Sequence, residues 1–204
     1  MDDLDALAAA LQRFDRVAAP LDGRRAAGVA IAISDGADSP DGAGGPAIFL
    51  TKRAARMRAH AGQFALPGGR LDAGEDAVDA ALRELSEEVG AVADRSAVLG
   101  ILDDYPTRSG YVITPVVVRL GAGQRLSPNP AEVAVLYRIP LANLDVTPRF
   151  VTIPESDRPV IQLPLVGHFV HAPTAAMLYQ FSELALHGRV TRVTHLEQPV
   201  FAWS

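Results

Sequence analysis

Three glutamates in the middle of the chain have a spacing that can bring their carboxylates together. Glu84, Glu87 and Glu88 are related by three and four positions, so on a helix they share one side. Like charges at those spacings repel by roughly 0.2–0.5 kcal/mol per pair, and a bound cation would offset that repulsion. Oxygen ligands in a chain with no cysteine favour Mg²⁺ or Mn²⁺ over zinc. For these three residues considered alone, a solvated acidic helix face is the alternative.

The residues around these glutamates predict a loop followed by a helix. Apolar residues recur at helical spacing and predict a helix over about residues 76–89. The apolar stripe of this helix consists of Val78, Leu82, Leu85 and Val89. Gly68 and Gly69 precede the helix, and a backbone without side chains can approach a phosphate or present a carbonyl to a metal. Glu75 and Arg83 are eight positions apart, so they can meet only if Glu75 lies in the loop.

A cluster of cations lies upstream of this segment. Lys52, Arg53, Arg56 and Arg58 place four positive charges within seven residues. Such a cluster suits a ligand that carries several phosphates. The alternative for any one of these residues is a solvated basic turn that balances the acidic helix.

Composition bounds the class of protein. A chain of 204 residues with a net charge of −5 has the length of a single domain, expected over 1–204, and lacks the overall basic field that favours nucleic acid. No run approaches the roughly 18 consecutive apolar residues of a membrane span, so we expect no membrane partner. The acidic N-terminus and the absence of cysteine are consistent with a cytoplasmic location.

The remaining pattern predicts strands between two terminal helices. We expect an N-terminal helix within residues 1–20 and a C-terminal helix over 174–186, because apolar residues recur at helical spacing in both. Strand-like runs occupy residues 28–33, 47–51, 98–102, 111–120 and 133–139. Strands mixed with few helices predict an α/β or α+β sandwich.

The glycine, glutamate and arginine positions follow a known motif. Gly69, five residues, Glu75, seven residues and then the run from Arg83 to Ala91 resemble the complete Nudix box, which would span residues 69–91. At average amino-acid usage, the probability that seven fixed positions match by chance is about 10⁻⁸ per starting residue. The seven matching positions are Gly69, Glu75, Arg83, Glu84, Glu87, Glu88 and Gly90. Ala91 departs from the pattern, because the family prefers a larger aliphatic residue there.

The resemblance to the Nudix family implies both a fold and a site. The fold would be an α/β/α sandwich with a mixed central sheet. Glu84, Glu87, Glu88 and the Gly68 carbonyl would be ligands to Mg²⁺ or Mn²⁺, and Glu75 and Arg83 would form a structural ion pair. Gly69 and Gly90 would have structural roles. The reaction would be hydrolysis of a nucleoside diphosphate linked to another moiety, through in-line attack by an activated water.

The flanking segments are similar to one branch of the family. Residues 50–69 resemble the signature that precedes the box in coenzyme A pyrophosphatases, apart from Ala54, where that branch favours serine. Residues 107–117 and 129–141 are similar to later segments of the same branch. By this resemblance the four upstream cations would bind substrate phosphates. The catalytic base stays open among Glu87, Glu88 and Glu132.

The branch resemblance implies a substrate but leaves alternatives. Coenzyme A or its thioesters would give 3′,5′-ADP and 4′-phosphopantetheine species. Hydrolysis of ADP-ribose, NADH or another nucleotide diphosphate is one alternative, and a non-catalytic nucleotide-binding regulator is another. His171 and Ala172 replace the Trp-Gly pair usual in this branch, which is either a neutral packing replacement or a change that alters substrate preference. Whether two copies form a homodimer stays open.

Overall fold

The structure is a computed structural model that describes residues 3–35, 45–55 and 61–203. The helices in this part of the chain are α1 (Asp3–Arg13), α2 (Ala77–Val89) and α3 (Thr174–His187). Short 3₁₀ segments occur at Arg95–Ala97, Leu141–Leu144 and Val200–Ala202. None of the helices in these ranges is long and apolar enough to cross a membrane.

The strands form a mixed central sheet and a smaller antiparallel one. They are β1 (Arg25–Ser34), β2 (Ala47–Arg53), β3 (Phe64–Ala65), β4 (Gly68–Arg70), β5 (Val98–Ile101), β6 (Tyr105–Pro106), β7 (Tyr111–Arg119), β8 (Val133–Pro140), β9 (Arg149–Ile153), β10 (Ser156–Leu165) and β11 (His168–His171). The central sheet has the order β3-β2-β1-β7-β5, with β4 paired to β1, β6 to β7 and β8 to β2. β1 and β7 run parallel, and the small sheet has the order β11-β10-β9.

The central sheet is buried on both faces. Along β1, Val29, Ile31 and Ile33 pack into a core shared with α1 and α3. The alternate residues Ala30 and Ala32 pack against the apolar stripe of α2. Because neighbouring strand residues point to opposite faces, one strand contributes to both layers. The predicted α/β/α sandwich with a mixed central sheet is therefore confirmed.

Helix α2 begins and ends at residues that favour those positions. The Asp76 side chain accepts hydrogen bonds from the N–H groups of Val78 and Asp79, and the Asp79 side chain accepts one from the Asp76 N–H in return. This reciprocal capping box satisfies N–H groups that have no partner within the helix. At the other end, Gly90 has a left-handed φ of 71°, which costs glycine little. The helix that carries the glutamates thus has fixed ends.

The N-terminal helix is shorter than predicted for residues 1–20, because α1 ends at Arg13. Further along, the Val17 N–H donates to Asp103 Oδ1 at 2.8 Å instead of to a preceding carbonyl. Asp103 is buried next to Asp104 after β5, and these carboxylates also bind arginines of both terminal regions. After the eleven residues of α1, long-range hydrogen bonds therefore take the place of helical ones. The C-terminal helix occupies 174–187, against 174–186 predicted.

The segment after α3 folds back onto the central sheet through a buried carboxylate. Glu197 lies 2.6 Å from the Arg108 guanidinium and also accepts hydrogen bonds from the Ser156 hydroxyl and the Gln198 N–H. Burial alone would raise the pKa of Glu197, but these hydrogen bonds and the Arg108 charge lower it to about 2. The ion pair holds the C-terminal segment against the turn before β7.

We predict that Glu197→Gln destabilises the fold in a pH-dependent way. Because the folded pKa lies below the ordinary value, the carboxylate stabilises the fold fully above about pH 5 and loses that contribution as the pH falls towards 2. The expected loss in free energy of unfolding is about 2 kcal/mol at pH 7, reduced for the exposure of Arg108. Urea unfolding at pH 7 and pH 3 measures it. A difference in the free energy of unfolding between variant and wild type that is the same at both pH values would contradict the prediction. Glu155→Gln, which changes an exposed carboxylate, is the control.

Candidate active site

A pocket of about 570 Å³ opens where β4, β1 and β7 lie side by side. At its β4 end the pocket is lined by three carboxylates and two cations: Glu84, Glu88, Glu132, Arg53 and Arg70. The structure thus brings together residues that are distant in the sequence, since Arg53 and Glu132 are 79 positions apart. At its β7 end the lining changes to hydroxyl, amide and apolar groups.

Glu88 is the most deeply buried of these carboxylates, with 2% of its surface exposed. Its Oε2 has no hydrogen-bond partner among the described residues. Burial raises the pKa of Glu88 to about 7, and Glu84 and Glu132 add to that rise, while Arg53 and the Gly68 N–H oppose it. Arg53 and the Gly68 N–H therefore offset the burial of this carboxylate only in part, and a cation in the pocket would stabilise its unpartnered oxygen further.

Arg53 is the nearest countercharge to Glu88. Its Nη1 lies 3.5 Å from Glu88 Oε1, and its buried Nε has no partner within the described ranges. Lys52, the neighbouring predicted phosphate ligand, points instead over the Phe64 ring, with Nζ 5.6 Å from the centroid. Arg56 and Arg58 lie outside the described residues. Of the four predicted substrate-binding cations, the structure therefore places Arg53 in the pocket.

Arg83 connects the loop before α2 to the glutamates on the helix. Its guanidinium lies 2.8 Å from Glu75, 2.8 Å from Glu84 and 3.2 Å from Glu87, and it donates to the Arg70 carbonyl at 3.0 Å. Glu75 therefore does lie in the loop, as its pairing with Arg83 requires. The Glu87 side chain is 56% exposed and does not line the pocket, so its predicted roles as ligand or base stay predictions.

Two glycines fit this arrangement closely. A Cβ on Gly69 would lie 2.1 Å from Glu84 Oε1, so a side chain there would displace the glutamate. Gly90 ends α2 in the left-handed conformation, and a Cβ there would lie 3.1 Å from the Ser127 backbone. The absence of a side chain at Gly69 therefore lets Glu84 lie against β4, and its absence at Gly90 lets the end of α2 pack against Ser127.

Glu132 reaches the pocket from a different element. It lies just before β8, whose pairing with β2 sets Val133 opposite Arg53. The Ala54 N–H donates to the Glu132 carbonyl at 2.7 Å, and the preceding loop is tied to α2 by an Asn129 N–H bond to the Glu88 carbonyl. The structure therefore places a carboxylate from outside the predicted box beside Arg53 and Glu88.

The carboxylates of this pocket fit a divalent cation in chemistry. Hard oxygen donors, an unpartnered buried oxygen and three mutually repelling negative charges match what Mg²⁺ or Mn²⁺ prefers. Within the described residues, no three Asp, Glu, His or Cys side chains lie close enough together to hold a metal ion in their present positions. Arg83 and Arg53 hold Glu84 and Glu88 in their present positions. Cation binding would therefore require these glutamates to turn away from their arginines.

The β7 end of the pocket includes residues that sequence reasoning did not single out. Gln198, Met177 and Ala202 come from the last 30 residues of the chain, and they line the same pocket as the carboxylates. His171, at the departure from the coenzyme A branch, packs edge-on against Phe201 at 5.2 Å and precedes the pocket residues Pro173 and Thr174. No local motif marks these residues, since only the tertiary fold brings them to the pocket.

The fold defines the class of protein. The structure superimposes on a crystal structure of a Nudix hydrolase from M. smegmatis, RenU, with a TM-score of 0.54 and 19% identity, over 83% of this chain and 91% of that one. A MutT/nudix family protein from Enterococcus faecalis gives a TM-score of 0.52 with 13% identity, over 85% and 66% of the two chains. At these identities the likeness shows the Nudix fold alone.

The sequence comparison establishes the family. Residues 24–161 match the NUDIX domain, so this chain belongs to the Nudix family. An uncharacterized Nudix hydrolase, NudL, from Photorhabdus laumondii is 44% identical over 98 residues, which cover 48% of this chain and 52% of that protein. The chain spans about half the length of the curated relatives it matches.

Proposed function

We propose that this chain is a divalent-metal-dependent pyrophosphohydrolase that cleaves the diphosphate of coenzyme A or acyl-coenzyme A into 3′,5′-ADP and a 4′-phosphopantetheine species. The observation that carries the proposal is the convergence of Glu84, Glu88, Glu132 and Arg53 on one pocket. Membership of the Nudix family supports hydrolysis of a nucleotide diphosphate. The coenzyme A substrate is supported by the segments that resemble that branch.

The residues have separate roles in the proposed reaction. Glu84 and Glu88, with Glu87 and the Gly68 carbonyl as further candidates, would hold Mg²⁺ or Mn²⁺. Such a cation, when bound, neutralises the diphosphate and lowers the pKa of an attacking water. Arg53 would donate hydrogen bonds to phosphate oxygens, as would Lys52, Arg56 and Arg58.

A carboxylate completes the proposed hydrolysis. As the water oxygen bonds to one phosphorus, the bridging oxygen leaves with the other phosphate, and the water proton passes to the base. Glu132 is our first choice of base, because it lines the pocket from β8 without belonging to the α2 cluster. Glu88 and Glu87 are the other candidates.

The proposal also covers the domain organisation of the protein and its location in the cell. The core that joins α1, the central sheet and α3 supports a single domain that extends on both sides of residues 24–161. We also propose a cytoplasmic site of action on a small nucleotide, with neither nucleic acid nor a membrane as partner. Homodimer formation is left to a measurement of mass in solution.

A substrate panel tests the proposed activity. We expect kcat/KM for coenzyme A to exceed that for dephospho-coenzyme A, ADP-ribose and NADH when Mg²⁺ or Mn²⁺ is present, with products separated by chromatography. Equal or faster turnover of ADP-ribose would overturn the coenzyme A substrate and leave the hydrolase. A chain that binds these nucleotides but cleaves none would instead be a non-catalytic regulator.

A further inference from the structure

The C-terminal segment builds a wall of the pocket that lies outside the matched Nudix region. The matched region ends at residue 161, whereas Pro173, Thr174, Met177, Gln198 and Ala202 line the pocket. Strand register sets Arg70 on β4, Ala27 on β1 and Ile113 on β7 across the pocket. Two strand spacings separate the ends, which is about 10 Å. A ligand that contacts both ends therefore extends well beyond its diphosphate.

The final residues of this wall are held firmly against the turn before β7. The Arg108 guanidinium pairs with Glu197 at 2.6 Å and lies 5.0 Å from the centre of the Trp203 ring. The Trp203 indole N–H donates to the Gln198 carbonyl at 2.9 Å. Gln198 therefore sits between two anchors and is 2% exposed.

The orientation of the Gln198 amide follows from its contacts. The Arg108 backbone N–H donates to Gln198 Oε1 at 2.7 Å, and because an N–H can only donate, the acceptor oxygen must face it. The amide nitrogen Nε2 then points away from Arg108. No hydrogen bond joins Nε2 to another described residue, and Nε2 is not one of the fully buried atoms that lack a partner, so this donor is open to the pocket that Gln198 lines. An amide donor that faces a pocket and has no protein partner among the described residues can donate to an acceptor on a ligand.

The lining around Gln198 limits what that ligand is. Within the described ranges, no charged side chain of the pocket lining comes from β7, the turn before it or the C-terminal segment. The lining residues from the turn before β7, from β7 and from the C-terminal segment carry hydroxyl, apolar and amide groups: Thr107, Ser109, Tyr111, Ile113, Gln198 and Ala202. Such a surface suits a neutral group that combines hydrogen-bond acceptors with apolar carbon. It does not suit a second charged phosphate.

We propose that Gln198 is a specificity-determining residue, whose Nε2 donates a hydrogen bond to a carbonyl of a neutral, amide-bearing chain attached to the diphosphate. Met177, Ile113 and Ala202 contact the apolar carbons of that chain. This assignment rests on the proposed function and adds to it the group that selects the non-nucleotide half of the substrate.

Gln198→Glu tests this role with little change in shape. The variant keeps an oxygen for the Arg108 N–H and replaces the donor by an acceptor. We expect KM for coenzyme A to rise about tenfold with kcat within about twofold. By calorimetry, Kd for 4′-phosphopantetheine is expected to rise about tenfold, while Kd for 3′,5′-ADP is unchanged. The exposed Gln12→Glu makes the same chemical change away from the pocket and serves as control.

Gln198→Met separates the lost donor from the added charge. It has a similar volume and no amide, so a rise in the 4′-phosphopantetheine Kd in both variants, with midpoints of thermal unfolding near that of wild type, supports the assignment. A Kd that rises only in Gln198→Glu, or in neither variant, overturns it. Wild type that cleaves ADP-ribose but does not bind 4′-phosphopantetheine also overturns it. Wild type that binds 4′-phosphopantetheine but cleaves no diphosphate overturns the proposed function instead.

Discussion

Glu88→Gln is expected to lower kcat/KM for coenzyme A on the order of 10³-fold, the scale of losing a general base or a key electrostatic contact. Glu88 is buried at the carboxylate end of the pocket, and its Oε2 has no protein partner in the described residues. The amide keeps the shape but removes the charge that would hold a divalent cation. Initial rates of 3′,5′-ADP formation at saturating Mn²⁺ measure the effect.

A second measurement separates loss of chemistry from loss of fold. The amide removes a buried charge, so the midpoint of thermal unfolding of Glu88→Gln is expected to stay within about 4 °C of wild type. Glu155→Gln changes an exposed carboxylate outside the pocket and is expected to retain full activity. Full activity in Glu88→Gln would contradict the assignment of this residue to the metal site.

Arg53→Met is expected to lower kcat/KM about 10²-fold, the scale of a charge-assisted hydrogen bond lost from the transition state. Arg53 lines the pocket, and its Nε has no protein partner among the described residues, so donors remain for phosphate oxygens. Its removal also takes away the cation 3.5 Å from Glu88. We therefore expect Mn²⁺ to bind at least as tightly as in wild type while turnover falls.

Arg53→Met is informative because it is expected to lower turnover without weakening the binding of Mn²⁺. A merely structural arginine would weaken Mn²⁺ binding and turnover together when it is removed. Arg125→Met, which changes an exposed arginine in the loop after β7, controls for general loss of positive charge. Weakened Mn²⁺ binding in Arg53→Met would contradict a role for Arg53 in binding phosphate.

The features that could be predicted from sequence are those with local causes. Helix α2 was predictable because its apolar stripe has helical period, and Gly90 marks its end. The spacing of Glu75 and Arg83 implied that they could meet only across a loop, and the structure places them 2.8 Å apart. Burial on both faces of β1 follows from its near-continuous apolar run.

The features that could not be predicted depend on contacts between distant residues. α1 ends early because backbone N–H groups after it bind Asp103 and Asp104, more than 80 positions away. Gln198 enters the pocket because Glu197 pairs with Arg108, a contact across 89 positions. The burial of Glu88 relative to the exposed Glu87 depends on how α2 packs against β4 and β8, which helical spacing alone does not specify.

The central claim is that the carboxylates at the β4 end of the pocket bind a divalent cation, and Mn²⁺ titration followed by electron paramagnetic resonance tests it most directly. The account predicts that wild type binds Mn²⁺ and that the double variant Glu84→Gln/Glu88→Gln binds it at least about tenfold more weakly. Glu155→Gln should match wild type. Equal affinity in wild type and in the double variant would contradict the account.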